Sequence, residues 1–263
     1  MILDRIVARK KEEVAELHRT GVVLPWPYEH WQADAPRGFR TALLDYAGVA
    51  VIAEVKKASP SKGVICADFD PVRTAVNYQK QGAQALSVLT DVDFFQGSLL
   101  YLMQVREAVD LPILRKDFII DRLQIDQARA HGADAVLLIA AILEVEQIAE
   151  FRLHAASLGM DSLVEVHDER EVEMALAAGA DLIGVNNRNL NDFSVDIDTT
   201  FRLQQLIPAH IPLVSESGLK TPADLDALGR AGVSAALIGE SLMRAGSGSS
   251  LLGELRGGGG TKR

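Results

Sequence analysis

Residues 48–63 read GVAVIAEVKKASPSKG. An apolar run, Val49-Ala50-Val51-Ile52-Ala53, climbs straight into Glu54, Lys56 and Lys57, then turns through Ser59-Pro60-Ser61-Lys62-Gly63. The run is continuous rather than alternating, which is how a strand covered on both faces reads in a parallel sheet. Charged side chains are seldom fully inside a protein unless they are paired. Side chains alternate along a strand, so Glu54 and Lys56 share one face while Val55 and Lys57 share the other. Two readings stay open at this point. The pair is structural, with Lys57 solvated, or a carboxylate and an ammonium enter a catalytic mouth together.

The same grammar recurs along the chain. Short Val/Ile/Leu/Ala-rich runs place strands near 51–56, 85–90, 112–117, 134–139, 161–166, 181–186, 211–216 and 234–239. Longer segments rich in charge and alanine separate them, among them 71–81, 121–131, 144–157, 169–178 and 222–231. The joints repeat as well: Gly82-Ala83, Gly132-Ala133, Gly179-Ala180 and Gly232-Val233 each precede a strand. Glycine just past a helix takes the left-handed cap without a side-chain clash. Pro112 and Pro212 open two further strands, where a missing donor does little harm. Asp121, Glu144 and Thr221 stand where helix starts need acceptors. Eight strands alternating with helices predict an α/β protein, a closed (β/α)8 (TIM) barrel. An open doubly wound sheet is the competing architecture, but no dinucleotide-type glycine fingerprint follows the first strand.

The outer segments read differently. In residues 1–48, Ile2, Leu3, Ile6, Val7, Val14 and Leu17 recur at helical spacing, predicting an amphipathic N-terminal helical extension. Trp26, Tyr28, Trp31 and Phe39 follow in a less regular stretch. The extension is expected to pack as a lid on one barrel end, with closure over substrate as the functional variant of that reading. Residues 246–263 are Gly/Ser-rich and end in GGGGTKR, so a flexible tail is expected. The whole of 1–263 is read as one barrel domain.

With 263 residues, 48% hydrophobic and 24% charged, the composition is that of a globular protein with a large core. The formal net charge of −9 speaks against a nucleic-acid partner. Cys66 is the single cysteine, so no internal disulfide forms. The first residues lack a secretory pattern, and no apolar stretch has membrane-spanning length. A cytoplasmic protein with no membrane partner is expected, as a monomer or weak dimer.

Active sites in such barrels form at the C-terminal strand ends. Those ends carry Glu54/Lys56, Arg115-Lys116-Asp117, Glu165/His167, Asn186-Asn187-Arg188, Glu216-Ser217 and Glu240-Ser241. One strand-end charge means little; polar groups at six ends converging on one mouth are what catalysis needs. The loops after the seventh and eighth strands are the usual phosphate seats, and here they hold Ser217-Gly218 and Gly239-Glu240. Lys56 is placed to supply a cation there, with two ordinary tight turns as the plain alternative. Metal binding is poorly supported, because Glu165 and His167 have no accompanying histidine or cysteine cluster. His167 reads as a loop residue or hydrogen-bond partner.

Together, IAEVKKASPSKG (52–63), LRKDFIID (114–121), LVEVH (163–167), IGVNNRNL (183–190), SESG (215–218) and LIGESLMR (237–244) resemble the indole-3-glycerol-phosphate synthase family. The likeness runs from about residue 36 to 245 in six ordered motifs, with a counterpart of the family's N-terminal extension before it. It implies a monofunctional enzyme of tryptophan biosynthesis. The implied reaction closes an indole ring on 1-(2-carboxyphenylamino)-1-deoxyribulose 5-phosphate, releasing carbon dioxide and water, with no cofactor. The resemblance places the general acid at Lys116 and the general base at Glu165, with Lys56 on substrate anions. Glu54 and Asn186 would orient the ribulose hydroxyls, and Glu216 would complete the charge network. Arg188 and Ser59 would meet the polar end of the substrate. Phe95, Phe118 and Leu190 would line the anthranilate pocket. The amides of Ser217, Gly218, Gly239 and Glu240 would hold phosphate. Asn189 stands where many relatives have aspartate. A lysine ammonium can serve as such an acid if nearby cations or burial lower its pKa. The rivals are a phosphosugar isomerase, a Schiff-base aldolase using Lys116 or Lys56, and an inactive metabolite-binding barrel.

Overall fold

The computed structural model describes residues 2–189, 193–246 and 248–257. Eight parallel strands close a barrel in which each pairs with its neighbours in sequence order. They are β1 (Ala50–Val55), β2 (Ala85–Leu89), β3 (Ile113–Lys116), β4 (Ala135–Ile139), β5 (Asp161–Val166), β6 (Ile183–Asn186), β7 (Leu213–Glu216) and β8 (Ala235–Ile238). Seven fall within the predicted runs, and β1 starts one residue before its run. Closure is made by β1 against β8, with Ala50 opposite Ala235 and Ile52 opposite Leu237.

The period-two alternation sorts the strand residues into two cores. Val51, Ala53, Val55, Val88, Ile113, Val164 and Val185 face outward and pack under the helices. Ala50, Ile52, Leu114, Leu137, Leu163, Leu182, Val214 and Leu237 face inward and fill the barrel. Continuing the inward parity upward gives Glu54, Lys56, Lys116, Glu165, Asn186 and Glu216 at the C-terminal rim.

The crossover helices have legible starts and stops. They are α3 (Pro71–Lys80), α4 (Leu99–Ala108), α5 (Arg122–Ala130), α6 (Val145–Ser157), α7 (Glu169–Ala177), α8 (Asp198–Gln204), α9 (Pro222–Ala231) and α10 (Glu240–Ala245). Asp121 and Thr221 cap α5 and α9 with reciprocal boxes to Gln124 and Asp224. Gly132 has φ +85°, and a Cβ there would press Trp31 at 2.7 Å, so the turn into β4 requires glycine on two counts.

The N-terminal segment differs from the expected lid in reaching both ends of the barrel. Helix α1 (Ile2–Thr20) lies over the catalytic rim, where Ile2, Leu3 and Ile6 line the mouth. Helix α2 (Phe39–Leu44) closes the opposite floor, with Phe39 and Leu43 fully buried in the interior cluster. The link is pinned on the way. The Arg37 amide donates to Asp134 Oδ1 at 2.7 Å, and the Arg40 amide to Asp161 Oδ2 at 2.8 Å. Barrel interiors need a hydrophobic plug at the floor, and a six-residue helix with two large apolar side chains supplies it.

The expectation of a flexible tail over 246–263 is corrected for residues 248–257. Leu251–Leu255 forms α11, and Leu252 and Leu255 are buried against the core. Their three-residue spacing puts both on one face. The Gly253 amide donates to Gln81 Oε1 at 2.9 Å, and Arg256 Nη2 donates to the Tyr46 hydroxyl at 2.7 Å. The terminal residues 258–263 lie outside the described residues. Among the described residues, no helix is long and apolar enough to cross a membrane.

Candidate active site

A cavity of about 620 Å³ opens at the C-terminal rim. Its lining includes Glu54, Lys56, Lys116, Glu165, Asn186 and Glu216. Ser59, Phe95, Phe118, Arg188, Ser217, Gly218, Gly239 and Glu240 also face it. The structure thus brings together every described site residue of the sequence reading. Leu190 lies outside the described residues.

Three lysine–carboxylate contacts form the floor of the mouth. Lys116 Nζ is 2.5 Å from Glu165 Oε2 and 3.3 Å from Glu216 Oε2. Lys56 Nζ pairs with Glu54 Oε2, so both groups do turn inward. Asn186 Nδ2 donates to Glu165 Oε1 at 3.1 Å, while Asn186 Oδ1 accepts from the Arg188 amide and Ser217 Oγ, each at 3.0 Å. Two glycines make room for this packing. A Cβ on Gly184 would overlap Glu216 Oε1, and one on Gly239 would overlap Glu54 Oε2.

These contacts set the charge states. Burial works to push the Lys116 ammonium down, but Glu165, Glu216 and Glu54 outweigh it and hold the group above the ordinary lysine range. The condition of a lowered lysine is therefore not met by these contacts, because carboxylates rather than cations surround the amine. Burial favours protonated Glu165, yet Lys116 and then His167 keep its carboxyl below the usual range. Glu216 goes the other way. Burial raises it against the pull of Lys116, Glu165 and Glu54 add to the rise, and its Oε1 has no hydrogen-bond partner among the described residues.

The upper wall suits an anion. Ser217 has φ +65° and Gly218 φ +88°, a turn that exposes successive amides. Ser217 is held in this conformation by Asn187 Nδ2, which donates to its carbonyl at 3.1 Å. Gly239 sits at the start of α10. Glu240, an awkward neighbour for phosphate by sequence, turns its carboxylate to Arg188 Nη2 and Arg244 Nε, each at 3.1 Å. Burial would raise Glu240, but Arg244 and Arg188 hold it below the usual range. The apolar wall pairs Phe95 with Phe118, ring centroids 6.0 Å apart at 37°.

One structural residue, Lys10, escaped the sequence reading, while His167 reads there only as a loop residue or hydrogen-bond partner. Lys10, on the apolar stripe of α1, is 1% exposed. Its Nζ lies 2.9 Å from Asp91 Oδ2, Asp117 Oδ1 and Glu13 Oε2. Asp91 Oδ1 also accepts the amides of Phe94 and Phe95, and Asp117 Oδ1 that of Phe118. Its signal was positional: Lys10 follows Ile6 by one helical turn. His167 lies 3.3 Å from Glu165 Oε1 and 2.9 Å from Glu171 Oε2.

A parallel eight-stranded barrel with paired ammonium and carboxylate groups at its rim, beside an amide-lined anion seat, defines an enzyme built for acid–base chemistry. The comparisons carry this further. The indole-3-glycerol phosphate synthase family model matches residues 3–255. The indole-3-glycerol phosphate synthase of Desulfotalea psychrophila is 65% identical over 237 residues, covering 90% of this chain and 91% of that protein. The Chlorobium chlorochromatii protein of the same name is 54% identical, over 90% and 93% of the two chains. The chain therefore belongs to the indole-3-glycerol phosphate synthase family. Solved structures agree on the fold alone. N-acetylmannosamine-6-phosphate 2-epimerase from Clostridium perfringens superposes with TM-score 0.60 at 16% identity, over 77% of this chain and 91% of that one. A chain of the tryptophan synthase complex from Pyrococcus furiosus does so with TM-score 0.58 at 13% identity, over 79% and 98%.

Proposed function

We propose that the chain performs the reaction of its family through the rim residues described above. It is a decarboxylating lyase that forms indole-3-glycerol phosphate from 1-(2-carboxyphenylamino)-1-deoxyribulose 5-phosphate. The single observation that carries the residue assignment is the contact of Lys116 with Glu165 at the floor of the cavity.

The ring carbon bearing the carboxylate attacks C2 of the sugar chain, and the ketone oxygen takes a proton from Lys116. Carbon dioxide then leaves, its bonding pair restoring the aromatic ring. Loss of water follows: the C2 hydroxyl departs with a proton, and Glu165 removes a proton from C1. Of the ammonium groups lining the mouth, Lys116 and Lys56 serve these transfers.

The contact between Lys116 and Glu165 supports a way to arm the acid. Substrate entering between Lys116 and Glu165 separates the ammonium from its nearest carboxylate. Burial then acts on the amine with less opposition, and its proton is released more readily. General acid–base assistance is worth about 10²–10⁴-fold, and positioning supplies much of the rest.

Asn186 holds Glu165, and Glu54 orients Lys56. The amides of Ser217, Gly218, Gly239 and Glu240 take the phosphate, with Lys56 flanking Gly239 across Glu54. Phe95 and Phe118 take the anthranilate ring, while Arg188 and Ser59 meet the polar groups of the substrate. A free buried Cys66 and a phosphorylated metabolite as substrate support a cytoplasmic setting.

Incubating the protein with the carboxyphenylamino-deoxyribulose phosphate in the presence of chelator is expected to yield an indole-fluorescent product. Folded protein that gives none refutes the assignment. Borohydride trapping of the substrate on Lys116 or Lys56 would favour an aldolase instead.

A further inference from the structure

One buried titratable side chain has no part in the chemistry above. His167 stands two residues beyond Glu165, on the same inward parity at the end of β5. Its Nδ1 is 2.9 Å from Glu171 Oε2, and its Nε2 is 3.3 Å from Glu165 Oε1. A neutral imidazole has one donor nitrogen and one acceptor nitrogen, and an ionised carboxylate only accepts. With a carboxylate at each nitrogen, a neutral ring sets a lone pair against a lone pair on one side. The imidazolium removes that repulsion: Nδ1 donates to Glu171, and Nε2, which makes no hydrogen bond among the described residues, sets positive charge 3.3 Å from Glu165 Oε1.

The ring is held in place by the start of α7. Glu171 Oε2 also accepts the His167 backbone amide at 2.7 Å, and the Glu171 amide donates to the capping Asp168 at 2.9 Å. The first helical turn thus grips backbone and ring together and aims Nε2 at Glu165.

We infer that His167 is a positioning residue, an imidazolium held by Glu171 that fixes Glu165 through its second oxygen and keeps it anionic while a negatively charged substrate enters. This rests on Glu165 being the base. Glu165 is faced by Lys116 from β3, Asn186 from β6 and Glu216 from β7; His167 is faced by Glu165 and Glu171. When Lys116 turns to the ketone, His167 is the cation still touching Glu165 among the described residues. The substrate's phosphate and carboxylate both favour protonation of the base, so a second cation is needed at that moment. The charge balance agrees. Burial opposes the charged ring, but Glu165 and Glu171 push His167 up to about 10.

The test has two arms. In ¹⁵N-histidine-labelled protein, with His167 identified by its loss in His167→Asn, both ring nitrogens are expected to be protonated at pH 8; a neutral tautomer there overturns the inference. In steady-state kinetics, His167→Asn is expected to move the acid limb of kcat up by about one pH unit. That is roughly a ten-fold loss on the limb, with recovery towards pH 8. Glu171→Gln, which keeps the ring, shifts it the same way by less and carries the test if His167→Asn folds poorly. An unmoved limb in both variants overturns the positioning role. Glu165→Gln separates the two readings. Loss of turnover there with unmoved limbs refutes His167 alone, whereas near-normal turnover refutes the base and His167 together.

Discussion

Lys10 Nζ lies 2.9 Å from Asp117 Oδ1, so the first helix of the chain is ionically fastened to the residue that follows Lys116. The same ammonium reaches Asp91, whose other oxygen shapes the turn bearing Phe95. One side chain from the N-terminal extension thereby holds the loop of one pocket aromatic and the strand end that carries the proposed acid.

Removing that cation leaves buried Asp91 without its ion-pair partner and Asp117 with Arg115 alone among the described residues. Lys10→Met is expected to destabilise the fold by roughly 3–5 kcal/mol, the cost of breaking a buried pair from one side. Urea unfolding reads this directly, and a loss below about 1 kcal/mol would reduce the contact to a surface-like bridge. Burial favours protonated Asp117, but Arg115 and Lys10 hold it well below the usual carboxylate range. Its contribution is present in full above about pH 3.9 and is lost as pH falls through the lower folded value.

Lys116→Ala and Glu165→Gln are each expected to lower kcat by about 10²–10⁴-fold, with the circular dichroism of the folded state retained. Near-normal turnover in either variant would take that residue out of the mechanism.

Gly184→Ala tests whether Glu216 must sit where it does. The added methyl group meets the far end of the Glu216 side chain rather than backbone. The carboxylate is therefore expected to move away from Lys116 while the strand stays in register. A loss of up to about 10²-fold in kcat with little change in Tm is the predicted signature. Equal losses of stability and activity would point to a packing role alone.

Gly218→Ala addresses the anion seat. Its positive φ is strained for alanine, and the new Cβ would stand 2.7 Å from Val195 Cγ1. Tilting these amides is expected to raise KM about ten-fold, near 1.4 kcal/mol, with kcat less affected, and to weaken inhibition by inorganic phosphate. A fall in kcat at constant KM would place phosphate elsewhere.

The His167 imidazolium makes its own mark on stability. Because its folded pKa is raised, its contribution is complete below the unfolded value of about 6.5 and is lost as pH rises through about 10. The gap in unfolding free energy between wild type and His167→Asn should shrink over that window. A gap that widens with pH contradicts a charged ring.

The strands and the inward-facing rim were legible because both follow from one-dimensional patterns. Continuous apolar runs mark strands buried on two faces, and parity then carries Ile52 to Glu54 and Leu163 to Glu165. What escaped depends on partners distant in sequence. Lys10 reads as an interruption of an apolar stripe until Asp91 and Asp117 are brought beside it. The charge state of Lys116 was not legible for the same reason: spacing gives the presence of neighbouring charges but not which of them touch the amine. Helices α2 and α11 are too short for periodicity to register, and only burial of Phe39, Leu43, Leu252 and Leu255 reveals their purpose.

The floor plug also imposes an order on assembly. Phe39 and Leu43 share one interior cluster with Ile52, Leu114, Leu163, Val214 and Leu237, so the cluster is whole only after the eighth strand has joined. A growing polypeptide therefore makes its stopper first and corks the vessel last.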